Sequence, residues 1–103
     1  MNIIRQGDVL LLQVSAIPAT AVRNTTPGDV VLAYGEVTGH AHRIAEPQKV
    51  EVWDAGAERF IRAIETVSLM HEEHAAVTLE KGAVYRQIYQ VEERGEEIRR
   101  VAD

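Results

Sequence analysis

The feature that most constrains this chain is the length and period of its apolar runs, which are short, rich in β-branched residues, and cut by turn residues every few positions. Residues that alternate on a two-residue period line the two faces of a strand, and no long stretch repeats apolar residues at three and four as an amphipathic helix would. Val9–Val14 and Asp29–Tyr34 are apolar on both faces and read as buried strands. Residues 49–53 alternate, with Val50 and Val52 on one face, and Asp54-Ala55-Gly56 reads as a turn. Phe60–Met70 holds one or two strands. Ala76–Leu79, the turn Glu80-Lys81-Gly82 and the long run Ala83–Val91 read as a hairpin. Ile17–Gly28, with Pro18, Pro27 and Asn24, reads as a loop. Gly35 and Gly39 predict a turn or bulge before His40, and the charged tail Glu92–Asp103 predicts a helix or a final strand. About seven or eight short strands predict an all-β fold, a small barrel or sandwich, in one domain spanning the whole chain.

Composition narrows the chemistry. With 103 residues, 46 % of them hydrophobic and 26 % charged, the chain can close one core. It has no cysteine, which removes disulfides, iron–sulfur clusters, thiolate zinc sites and thiol nucleophiles. Any metal must rest on imidazole and oxygen donors. A net charge of −5 with no basic run beyond Arg99-Arg100 argues against binding a nucleic-acid backbone. No apolar run nears the roughly 20 residues that span a bilayer, and the first residues lack the basic and long apolar regions of a signal peptide. The expectation is a cytoplasmic protein without a membrane partner.

The histidines carry the chemical signal. They fall in two pairs, His40-Ala41-His42 and His71-Glu72-Glu73-His74. Two positions apart on a strand, side chains share a face, so His40 and His42 form a two-toothed clamp if the segment is extended. The same parity continues through Ile44 to Glu46. Residues three apart oppose each other on a strand; Val67, Leu69 and His71 share the apolar face, which makes His71 the third ligand and leaves His74 dependent on a bend at Glu72-Glu73. Glu36, Glu72 and Glu73 read mainly as solvated charges, with Glu73 or Glu46 as a candidate base. The metal ligands expected are therefore His40, His42, His71, His74 and Glu46. Three or four imidazoles with an open position suit zinc, iron, copper or nickel without distinguishing them. Arg5-Gln6-Gly7-Asp8 reads chiefly as a turn that starts the first buried strand, and Tyr85, Gln87 and Tyr89 share one face of the long strand, as core or as lining of the same pocket.

The stretch from His40 to Glu46 has the spacing His-x-His-x-x-x-Glu and resembles the first metal motif of cupins. The resemblance implies a jelly-roll-like barrel in which His40, His42, Glu46 and His71 hold a metal. The whole chain also resembles a group of small, mostly uncharacterised bacterial and phage-associated proteins through RQGDVLL, GEVTGHAHRI, HEEHAAVTLEKGAVY and the terminal VAD. Two functions follow. One is a metal-binding β-barrel protein of cupin type, an oxidoreductase or hydrolase acting on a small-molecule substrate. The other is a non-catalytic binding or assembly module with a structural metal or none. Exposed edge strands in a small β domain also leave a homodimer open.

Overall fold

The computed structural model describes residues 2–35, 39–88, 90–94 and 97–101, which form twelve β-strands and a single 3-10 turn. In chain order the strands are β1 (Ile3–Gln6), β2 (Val9–Val14), β3 (Val22–Asn24), β4 (Val30–Tyr34), β5 (Ala41–Ile44), β6 (Val50–Ala55), β7 (Glu58–Ala63), β8 (Val67–Leu69), β9 (Val77–Leu79), β10 (Val84–Ile88), β11 (Gln90–Arg94) and β12 (Glu97–Val101). The 3-10 turn, Pro47–Lys49, lies between β5 and β6.

Six strands make an antiparallel sheet in the order β1-β2-β10-β7-β6-β3. Its two tight hairpins turn at glycines with positive φ, Gly7 at 56° between β1 and β2 and Gly56 at 62° between β6 and β7, a conformation that costs an L-residue its Cβ clearance. β10 runs between β2 and β7, and the inward faces of these three strands put Leu11, Ile61 and Tyr85 almost wholly out of water. The Tyr85 hydroxyl accepts the Glu80 N–H at 3.1 Å, which satisfies it in the core.

The pairs β4–β5 and β8–β9 form the facing layer. They are joined by reciprocal backbone hydrogen bonds between Arg43 and Met70 of 2.8 and 2.9 Å. Leu32, Ile44, Val67, Leu69 and Leu79 from this layer pack into one core with Val9, Leu11, Val50, Val52 and Ile61 from the larger sheet. The β4–β5 register shifts between Val31 and Ala33. Two side chains of the larger sheet meet carbonyls at that irregularity, with Arg59 donating to Val31 O at 3.1 Å and Gln87 to Leu32 O at 2.9 Å. These bonds tie the layers together where the ladder is interrupted. The result is a small all-β sandwich, and none of its described residues forms a helix long and apolar enough to cross a membrane.

Strands outnumber the expected seven or eight because β1, β3 and the tail pair β11–β12 add to the expected runs. The expected loop Ile17–Gly28 contains β3, paired with β6 and stitched by Asn24 Nδ2 donating to Asp54 Oδ2 at 2.9 Å. Phe60–Met70 resolves into β7 and β8. Residues 80–82 do turn, but not into a hairpin: β9 pairs with β8, while β10 pairs with β2 and β7. This turn therefore crosses from one layer to the other, and Gly82 takes it at a φ of 85°. The tail is a strand pair, β11–β12, not a helix. The expectations for Glu36 and for Tyr89 lie outside the described residues, as does the middle of the predicted turn between Gly35 and Gly39.

Candidate metal centre

Three segments bring the histidines together. His42 projects from β5 into the interior and is 0 % exposed. His40 precedes β5, at the base of a connection closed by Gly35 N–H donating to His40 O at 2.8 Å. Strand β8 ends at Leu69, so His71 and His74 belong to the connection to β9 and escape strand parity. All four rings converge. His71 lies 4.3 Å from His42, 4.6 Å from His74 and 5.8 Å from His40, centroid to centroid, and His42 lies 5.7 Å from His74.

The convergence has a different internal order from the expected clamp. One group of donor atoms within 4.8 Å of one another comes from His42, His71 and His74, and a second comes from His40, His71 and Glu72. His40 and His42 thus belong to different groups that share His71. The reason is local: His42 is a strand residue, whereas His40 lies outside the strand and its Nδ1 is 3.2 Å from Glu73 Oε1. Glu46 joins neither group. It precedes the Pro47–Lys49 turn and pairs with Lys49 at 2.9 Å, so the chain has already turned away at Pro47 and the ligand set implied by the cupin spacing is not assembled. Of the two readings for Tyr85, the structure shows the core one: the ring is buried and its hydroxyl accepts the Glu80 N–H of the turn.

The second group is compromised as a cation site. Glu72 Oε1 accepts the Ala41 N–H at 2.9 Å, and Glu72 Oε2 meets the Arg43 guanidinium. A metal held there would sit beside a fixed positive charge. The Ala41 N–H first, and then Arg43, hold the Glu72 carboxyl down at about 2 from an ordinary 4.5. A pKa depressed by folding contributes stability that is complete above the unfolded value and is lost as the pH falls through the folded one. In metal-free protein, Glu72→Gln should therefore flatten the acid side of the stability profile between pH 4.5 and about 2. Urea denaturation across that range checks it, and equal slopes in the two proteins would contradict the assignment.

The first group has a support that sequence reasoning passed over. Gln6, at the end of β1 and only 3 % exposed, donates through Nε2 to Leu69 O at 2.9 Å and to Ala75 O at 3.0 Å. With both amide hydrogens directed at carbonyls, Oε1 must be its acceptor, and that atom lies 2.9 Å from His42 Nδ1. With Oε1 as the acceptor, the geometry assigns the ring proton to His42 Nδ1 and the lone pair to Nε2, the nitrogen that a metal would use. The only sequence signal was the placement of Arg5-Gln6-Gly7-Asp8 before the first buried strand.

His71 is set differently. Its Nδ1 accepts the Glu73 N–H at 3.0 Å, while its buried Nε2 has no hydrogen-bond partner among the described residues. A metal on Nε2 puts the proton on Nδ1, and a metal on Nδ1 takes that lone pair, so either mode displaces the Glu73 bond. A hydrogen bond contributes about 1 kcal/mol net, against roughly 10–16 kcal/mol for structural zinc sites, so this displacement is a minor cost.

Comparison with known proteins adds the family. Residues 5–90 match the family described as Domain of unknown function (DUF8820). The chain belongs to it. The matched DUF8820 region takes in Gln6 and all four histidines. No curated protein and no solved structure matches this DUF8820 chain.

Proposed function

We propose that the protein binds one divalent transition metal through His42, His71 and His74, with the remaining coordination open to an exogenous ligand. The single observation that carries this reading is the convergence of three imidazole donors within 4.8 Å, one of them wholly buried with its Nδ1 2.9 Å from Gln6 Oε1. An ion bound at about 2.0–2.1 Å from each nitrogen draws the donors to roughly 3.4 Å apart, so loading tightens a cluster that already exists. Zinc, iron, copper and nickel all suit an imidazole set, and a metal with an open position would supply Lewis-acid or redox chemistry of the oxidoreductase or hydrolase kind. Glu73, 3.2 Å from His40 Nδ1 and 59 % exposed, would be the carboxylate that acts as a base.

Cobalt titration of untagged, metal-free protein tests the proposal. Cobalt(II) in a three-histidine site develops visible absorption that saturates at one equivalent per chain. Absorption that never saturates, or no spectrum at all, would refute it.

A second reading has its own support. A cleft of about 320 Å³ lies away from the histidines, lined by residues including Asn24, Asp29, Tyr34, Val52 and Arg59. A binding module could use this cleft for a small molecule while the histidines hold a structural ion. Four protein ligands and no bound water favour that module; an exchangeable water on the metal favours catalysis. Self-association has support at the edges of the larger sheet, where β1 carries Ile3 (61 % exposed) and β3 carries Val22 (70 % exposed).

A further inference from the structure

We infer that Gln6 is a positioning residue for the metal centre: it selects the tautomer of His42 and pins both ends of the connection that carries His71 and His74. The inference rests on the metal reading above and deepens it. One buried amide touches three separate pieces of the chain. Its Oε1 accepts from His42 Nδ1–H, and its Nε2 donates to Leu69 O just before His71 and to Ala75 O just after His74. No other arrangement of the amide fits these partners. Reversing it would set the oxygen against two carbonyl oxygens and the nitrogen against the ring.

The chemistry of the position makes the residue type selective. A glutamine offers one acceptor and two donors, which is the complement of one ring N–H and two carbonyls. Glutamate keeps an acceptor for His42 but places a carboxylate oxygen against Leu69 O and Ala75 O. Methionine matches the shape and keeps neither function. Gly7, at a φ of 56°, turns the chain directly after Gln6 and returns it as β2, so β1 is anchored in the larger sheet while the Gln6 side chain reaches the facing layer. The site is thereby tied to the rigid sheet of the sandwich, which is where orienting groups hold ligands best.

The two roles separate experimentally. Gln6→Met is expected to weaken zinc and cobalt binding by about 10–100-fold, the usual effect of losing an orienting partner. Gln6→Glu is expected to bind within about tenfold of the native protein while melting at a lower temperature, because the tautomer survives and the clamp does not. A purely structural role would make affinity follow melting temperature in both variants, and native affinity in folded Gln6→Met would overturn the inference. Should Gln6→Met fail to fold, nitrogen-15 NMR of the imidazoles in the metal-free native protein decides the matter. The proton on His42 Nδ1 supports the inference, and the proton on Nε2 overturns it. A native protein that binds no metal would refute the function, whereas the NMR result bears on Gln6 alone.

Discussion

If the proposed centre holds a metal, His42→Ala is expected to lower affinity for zinc or cobalt by more than about 100-fold, and His40→Ala by less than about tenfold. The first figure follows because removing a ligand costs more than removing its orienting partner, for which 10–100-fold is usual. The second follows from the division of the cluster. His40 shares a donor group with His71 and Glu72, and Glu72 is already committed to the Ala41 N–H and Arg43. His71→Ala should match His42→Ala, since His71 is common to both groups. Competition with a chromophoric chelator measures all three. Equal losses at His40 and His42 would restore the strand clamp as the working site.

Ile61→Ala should produce the largest loss of stability with no loss of metal affinity. Ile61 is fully buried on β7, its register partners are Val52 and Tyr85, and it belongs to the common core. Truncating such a residue costs about 3 kcal/mol, through lost burial and the cavity left behind. For a domain of this size, that shift lowers the melting temperature by roughly 12–24 °C. Thermal denaturation of metal-free protein measures it. Below its transition the variant should bind metal within about threefold of the native protein, since the donors come from β5 and the β8–β9 connection. A variant that melts normally would mean that the larger sheet packs differently.

These two expectations separate what the chain states openly from what it states through folding. The strands β2 and β4 are legible because VLLLQV and VVLAY are apolar on both faces, a pattern with few other destinations. Strand β3 is not, because VRN is too short to show a period and owes its existence to β6. The Glu80–Gly82 turn is legible from its glycine, but local chemistry does not reveal which layer each flanking strand joins. The same division runs through the site. Strand parity identifies His42 and favours His71, yet it ties His40 to His42 and demotes His74. Both departures have one cause: β5 begins at Ala41 and β8 ends at Leu69, so three of the four histidines lie outside regular strands. Gln6 shows no periodicity at all, because its partners arrive from β5 and from both ends of a distant connection. The His-x-His-x-x-x-Glu spacing is real in the sequence, but Pro47 turns the chain and Glu46 pairs with Lys49.

The most direct test is anomalous diffraction from crystals of untagged protein loaded with zinc, measured on both sides of the zinc absorption edge. One strong anomalous peak per chain is expected, about 2.0–2.1 Å from His42 Nε2 and within bonding distance of His71 and His74. A peak held instead by His40 and Glu72, or no peak among the four imidazoles, would contradict the three-histidine centre.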